Sequence, residues 1–212
     1  MNYTYTNSYL PHNLKRESNF YLGGALKKEA IKVPPPVLEP MKKGGQILAD
    51  EILNTLENTQ FPTKDPYKDK TRKNVLQKEG QKIEAFVLGK VRAYDKPNLV
   101  NSVKNVKFPL LFEKLKAFVK HHNPNFKYTS IQINKSVETP FHFDRGNRGL
   151  SYLIGLGDFK GGGVGVKTLP DLKVVDFDNK NKWLKFDGHT LEHKSLKKTG
   201  GTRYALIYYT HF

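Results

Sequence analysis

Residues 141–149 read FHFDRGNRG, and two later stretches belong with them: FDGHTLEHK at 186–194 and GGTRYALIYY at 200–209. His142 and Asp144 stand two positions apart. In an extended strand, alternate side chains leave on one face, so a strand over 141–145 aims both into one space. His193 follows about fifty residues later and brings a third donor. Two imidazoles and one carboxylate on a rigid sheet form the facial set that holds a non-haem Fe(II) and leaves coordination positions open. A His-x-Asp pair alone recurs by chance. The ordered set carries the specificity: pair, glycine-rich turn, distal histidine, then Arg203 inside the β-prone run RYALIYY.

The chain of 212 residues is long enough to bury a core of its own. Its formal net charge of +16 favours polyanionic partners, nucleic acid first. With no cysteine, disulfides, thiolate chemistry and Cys-based zinc sites are excluded. No stretch resembles a signal peptide or a membrane span, so the expectation is a soluble, intracellular monomer of nucleus or cytoplasm.

Residues 1–40 read as an extended, basic, proline-rich arm. The prolines of VPPPVLEP forbid helix. Residues 41–212 read as one domain, with helical support over 41–127 and a β core over 128–212. GGQILADEILNTLEN has the period of an amphipathic helix, with Leu48, Ile52 and Leu56 on its stripe and Ile47 and Leu53 widening it. FPLLFEKLKAFVKHH gives a second helix, burying Phe108, Leu111, Leu115, Phe118 and Val119. Between them IEAFVLGKVRAY reads as a strand with Phe86, Leu88 and Val91 inward. The charged stretch TKDPYKDKTRKNVLQKEGQK has no apolar period. Its Lys64, Lys68, Lys70, Arg72 and Lys73 are the candidate phosphate contacts, and a solvated charge run is the alternative. From Tyr128 onward, YTSIQINKS, FHFDR, LSYLIGLGDF, GVGVKTL, LKVVDF, KWLKFDG and TRYALIYYTHF read as strands. Helices first and strands afterwards make an α+β protein. The run GDFKGGGVG lacks the Gly-Lys-Ser/Thr ending of a phosphate loop and reads as a tight turn beside the site.

The set of motifs resembles the Fe(II)/2-oxoglutarate-dependent oxygenases. Within them IQINKS, FHFDRGNRGLSYLIGLGDFKGG, WLKFDG with its following histidine, and GTRYALIYY are similar to the TET/JBP-like, AlkB-related group. The resemblance covers roughly residues 128–209. It implies a double-stranded β-helix (jelly-roll, cupin-like) core buttressed by the N-terminal helices, and it implies Fe(II), 2-oxoglutarate as cosubstrate and O2. Carried onto this chain, it makes His142, Asp144 and His193 the iron ligands and Arg203 the anchor of the cosubstrate's distal carboxylate. Guanidinium suits that task, because it offers a fixed fork and keeps its charge. Asn134 matches a polar position near the cosubstrate. His189 competes as distal ligand, but His193 stands nearer the family's usual distance from the arginine. His189 then reads as a group beside the metal or facing the substrate, as do Asn147, Phe143 and Tyr152. Relatives often carry serine two residues after the arginine; here Ala205 stands there, with Tyr204 or Thr202 as substitutes. GGGVGV also departs from the family, which usually has a polar residue after the glycines.

By this resemblance the activity is hydroxylation of a nucleic-acid base, the C5-methyl of thymine or 5-methylcytosine in DNA. A flipped base would stack among Phe141, Phe143 and Tyr152. The alternatives are a protein side chain as substrate, AlkB-like demethylation of an alkylated base, or a non-catalytic nucleic-acid-binding module. His12, His121, His122 and His211 read as surface or capping histidines.

Overall fold

The computed structural model describes residues 33–65, 80, 82–93 and 98–212. Most of the arm, and Lys68, Lys70, Arg72 and Lys73, lie outside the described residues. In chain order the elements are β1 (Val37–Pro40), α1 (Gly45–Glu57), β2 (Thr63–Lys64), β3 (Ile83–Arg92), β4 (Leu99–Asn101), α2 (Lys104–Lys107), α3 (Pro109–His122), β5 (Ser130–Lys135), β6 (Ser151–Leu156), β7 (Lys160–Gly161), β8 (Val164–Thr168), β9 (Lys173–Phe177), β10 (Lys182–Phe186), β11 (His193–Ser195), β12 (Lys198–Gly200) and β13 (Tyr204–Tyr209).

The major sheet runs β1-β10-β6-β13-β5-β3-β2, with β4 on β3, and every pairing is antiparallel. A second sheet, β11-β8-β9, and the ribbon β12-β7 complete the β half. Strict alternation divides the major sheet into two unlike faces. Ile131, Ile133, Tyr152, Ile154, Trp183, Leu206 and Tyr208 form one core with Ile52 and Leu56 of α1 and Leu115 and Phe118 of α3. The intervening residues Gln132, Asn134, Ser151, Leu153, Phe186, Ala205 and Ile207 line a cavity on the other face. The helices thus take the apolar face of the sheet, and the second sheet covers the face that carries polar groups. Between the sheets, Val164, Val166, Leu184, Phe186 and Leu191 make a smaller core.

The helices form for local reasons as well. Pro109 opens α3, where its missing N–H costs nothing and its fixed φ suits the first turn. Asn58 closes α1, its side-chain amide donating to Asn54 O at 2.8 Å. The expected stripe of α1 is corrected in one place. Ile47 is 67% exposed, and Ala49 takes the buried position instead. Val91 of β3 is only half-buried.

Two further differences concern the ends of elements. Val37–Pro40 follows the prolines as an edge strand on β10, a position where proline's missing donor faces no neighbour. His122 is not a surface histidine: it ends the buried stripe of α3, with its ring 5.0 Å from Trp183 and nearly parallel to it. Its Nε2 meets Glu39 Oε2 at 2.8 Å, and Glu39 Oε1 accepts from Lys185 Nζ at 2.7 Å. This network ties β1 to β10 and to α3.

Burial lowers the His122 pKa more than Glu39 raises it. For Glu39, burial acts upward, but the hydrogen bonds from Lys185 and His122 outweigh it and the carboxyl stays below its usual range. Both signs make acid destabilising. Below the unfolded histidine value near 6.5, the unfolded chain takes up a proton that folded His122 refuses. Glu39's contribution is lost at lower pH still, as it falls through the depressed folded value. The melting temperature should therefore fall from pH 7 to pH 5. His122→Gln should flatten that slope while costing roughly 1–3 kcal/mol at pH 7 for a disrupted buried pair. Calorimetry of both proteins across this range checks the expectation; parallel profiles would contradict it.

Candidate metal centre and cosubstrate cavity

FHFDR is not a regular strand. His142 forms one isolated bridge to His193, with His142 N to His193 O at 2.9 Å and the reverse bond at 3.0 Å. The chain then turns, Asn147 N bonding back to Asp144 O at 2.9 Å. Asp144 is held across to the other stretch by its own N–H, which donates to Gly188 O at 2.8 Å. Backbone bonds therefore dock the His-x-Asp segment directly onto the segment that carries the distal histidine.

The donor atoms of His142, Asp144 and His193 all lie within 4.8 Å of one another. His142 Nε2 is 3.5 Å from Asp144 Oδ1, and His193 Nε2 is 3.7 Å from Asp144 Oδ2. Each imidazole is turned by its other nitrogen. His142 Nδ1 bonds Pro140 O at 2.8 Å, and His193 Nδ1 bonds Leu191 O at 2.9 Å. A carbonyl only accepts, so the network assigns the proton to Nδ1 in both rings and leaves both Nε2 lone pairs facing the carboxylate. Burial lowers the His193 pKa, with Asp144 opposing, which favours the neutral ring that a metal needs. Asn147 Nδ2 donates to Asp144 Oδ2 at 3.1 Å and fixes the carboxylate. Gly188 leaves the room: a Cβ there would stand 3.2 Å from both Asp144 Oδ2 and His193 Cε1. Facial donors on one divalent ion stand about 3 Å apart, so the set needs only a slight inward movement to close on a cation.

His189 does not join the set. Its backbone N–H caps Asp187 Oδ1 at 3.0 Å, and its ring packs edge-on against Phe212. Nor does it line the cavity.

The three donors open into a cavity of about 470 Å³. Arg203 lines it too and is only 4% exposed. Its guanidinium donates to the carbonyls of Gly162, Leu196 (3.4 Å) and Val137 (2.6 Å), while Nε has no hydrogen-bond partner among the described residues. Among the described residues no carboxylate forms an ion pair with it. Burial lowers its pKa, partly offset by the field of Glu138. A buried cation held only by carbonyls is costly unless an anion joins it. The glycine run serves this arginine. Gly162 supplies the carbonyl, and a Cβ at Gly163 would stand 2.1 Å from Phe177 O, so the turn closes only with glycine there.

Asn134 also lines the cavity, its Oδ1 accepting from Gln132 Nε2 at 2.9 Å. Tyr204 does not. Alternation turns it away from Arg203 into the helical core, against Phe61. Tyr152 is corrected for the same reason: it packs beside Trp183, and its hydroxyl accepts from Asn123 Nδ2 at 3.2 Å. Phe141 and Phe143 flank His142 without lining the cavity, and Phe141 carries the ammonium groups of Lys167 and Lys194 at 4.4 and 4.6 Å from its ring centre. Lys64 is exposed on β2, at one end of the major sheet's order. The cavity also holds groups that sequence reading did not single out, chiefly Gln132, Ser151, Asn179 and Tyr209.

No protein-family model matches the chain, and no curated protein matches it. Solved structures do. NgTET1, in complex with 5mC DNA, superposes with a TM-score of 0.53 over 83% of this chain and 72% of its own, at 16% identity. The fold is that of the 2OG-Fe(II) oxygenases, a double-stranded β-helix. A 2OG-Fe(II) oxygenase family oxidoreductase from Burkholderia pseudomallei gives 0.47 at 17% identity, covering 82% of this chain and 84% of that one. A prolyl hydroxylase from Trichoplax adhaerens, in complex with a peptide fragment of a hypoxia inducible factor, gives 0.49 at 13% identity, covering 83% of each. In this fold His142, Asp144, His193 and Arg203 occupy the walls of one cavity between the two sheets.

Proposed function

We propose that this chain is an Fe(II)/2-oxoglutarate-dependent dioxygenase that hydroxylates a nucleic-acid base, the C5-methyl of thymine or 5-methylcytosine in DNA. One observation carries the oxygenase reading: a two-histidine, one-carboxylate donor set and a buried arginine with no acidic partner among the described residues face the same cavity. The residues fit the cofactors. His142 Nε2, Asp144 and His193 Nε2 would hold Fe(II), and Arg203 would neutralise the distal carboxylate of 2-oxoglutarate. Iron, 2-oxoglutarate and O2 together supply the oxidising power for an unactivated C–H bond, which no side chain here can provide.

The protein's share is orientation and exclusion of water. The Nδ1 bonds to Pro140 and Leu191 keep both rings aimed. Asn147 keeps the carboxylate aimed, and Leu153, Phe186 and Ile207 give the cavity an apolar lining between its polar groups. The nucleic-acid part of the reading is supported by the charge of +16 and by the DNA in complex with NgTET1. A base inside a duplex would have to leave the stack to reach the cavity. Among the described residues, no helix is long and apolar enough to cross a membrane.

The test is incubation with Fe(II), 2-oxoglutarate and DNA containing thymine or 5-methylcytosine, then digestion and mass spectrometry of the nucleosides. One added oxygen on either nucleoside is expected, with succinate formed in step. DNA affinity should fall steeply and log-linearly with salt, as counterion release requires. Succinate without any change to nucleic acid, together with oxidation of a peptide, would move the substrate to protein.

A further inference from the structure

We propose that Asn179 is a second binding group for the distal carboxylate of the 2-oxo acid, acting beside Arg203; this rests on the cosubstrate reading given above. Asn179 sits between β9 and β10, is 2% exposed and lines the cavity. Its Oδ1 has no hydrogen-bond partner among the described residues. Buried carboxamides with a purely structural task normally satisfy their own polar atoms.

The backbone fixes where this amide stands. Gly155 N donates to Asn179 O at 3.1 Å, and Asn181 N returns a bond to Gly155 O at 2.9 Å. Gly155 lies opposite Ala205 across β6 and β13, and Ala205 lies opposite Asn134 across β13 and β5. One row of the sheet therefore reads Asn134, Ala205, Gly155, Lys180, and Asn179 stands one residue before its end. The edge of Phe159 occupies the space over Gly155, 2.9 Å from where a Cβ would be. Asn134 at one end of this row, Asn179 beside its other end and Arg203, two residues before Ala205, all line the same cavity.

A carboxylate has about four lone-pair directions to fill. The three carbonyls already bonded to Arg203 take three of its five N–H donors, and among the described residues Nε–H and one Nη2–H are left to meet a ligand. Ala205 offers no hydroxyl. A carboxamide rotated by half a turn about its last torsion presents its NH₂ where its oxygen was, with no change of shape. Asn179 can therefore donate Nδ2 into the slot. Asn134 is committed differently, since its Oδ1 already accepts from Gln132.

The test is calorimetric titration of the full chain loaded with Mn(II), using 2-oxoglutarate and, separately, 2-oxobutyrate, which lacks the distal carboxylate. Asn179→Ala should weaken 2-oxoglutarate about tenfold and leave 2-oxobutyrate unchanged. Asn179→Asp, nearly isosteric, should weaken 2-oxoglutarate further by placing a like charge beside the carboxylate. Ala205→Ser in the Asn179→Ala background should recover part of the loss, because its hydroxyl enters the cavity that Asn179 lines. If Arg203→Gln loses 2-oxoglutarate while both Asn179 variants bind it as the parent does, the role of Asn179 is wrong and the cosubstrate reading stands. Equal loss of both oxo acids on Asn179 substitution also overturns the role, since the amide would then not read the distal end. If the parent chain binds neither acid, both readings fall together.

Discussion

His193→Ala should abolish Mn(II) and Fe(II) binding and, with it, cosubstrate turnover. Its ring is one of the three donors of the set, and among the described residues no other metal-ligating side chain joins it. Loss of a partner that merely orients a metal ligand costs about 10–100-fold, so loss of the ligand itself should exceed roughly 10³-fold. The fold should survive. The bridge between His142 and His193 is made by backbone N–H and C=O groups, which alanine keeps. The cavity left by the buried ring should cost about 1–3 kcal/mol, a magnitude ordinary for core truncation. His189→Ala is the informative companion. It should leave metal affinity unchanged, because its ring packs on Phe212 and lies outside the donor set. Metal titration followed by electron paramagnetic resonance of Mn(II), and succinate formation, read the two variants. Retained binding in His193→Ala with loss in His189→Ala would reverse the assignment of the distal ligand.

Much of this fold was legible because alternation is a strong signal in strands of five residues or more. β5, β6, β8, β9, β10 and β13 each show as a β-prone run bounded by turn residues. The strands of two or three residues, β2, β4, β7, β11 and β12, are too short to carry a period and exist only through their partners. β1 was hidden behind its prolines, which announce extended chain but not the sheet edge that receives it. The candidate site was legible as a set of residue types, because chemistry restricts which can serve, and the structure brings His142, Asp144, His193 and Arg203 to one cavity.

The neighbours of those groups were harder to read, for two different reasons. Tyr204 and Tyr152 were misplaced although the signal was present: counting alternate residues from Arg203 sends Tyr204 to the opposite face. His122 continues the spacing of Leu111, Leu115 and Val119, so its burial was also available from the helical period. Asn179 had no such signal. It lies between strands, in no pattern, and reaches the cavity only because Gly155 hydrogen-bonds its backbone. The strand expected at FHFDR failed for a physical reason of the same kind. The chain must turn at Asp144 to bring the carboxylate to His193, and a longer ladder would carry it past.

Arg203→Gln should raise the KM for 2-oxoglutarate by about 10²–10³-fold, as expected for losing two charge-assisted hydrogen bonds at roughly 1.5–3 kcal/mol each. The same variant should leave the binding of 2-oxobutyrate within about twofold, since that acid has no distal carboxylate to anchor. Two opposed effects act on the protein without cosubstrate. Glutamine relieves the burial of an unpaired charge, worth several kcal/mol. It also removes donors from the carbonyls of Gly162, Leu196 and Val137, at about 1–3 kcal/mol for each group left unsatisfied. These largely cancel, so the thermal midpoint of the free protein should move little, while the rise that 2-oxoglutarate gives the parent should vanish. That pairing separates ligand anchoring from scaffolding. An arginine that served only to tie the glycine turn to β13 would lower the midpoint on substitution and weaken both oxo acids alike. Metal affinity should stay near that of the parent, because the guanidinium's hydrogen bonds go to the carbonyls of Gly162, Leu196 and Val137. Thermal melts with and without 2-oxoglutarate, and kinetics with both oxo acids, decide between the two roles.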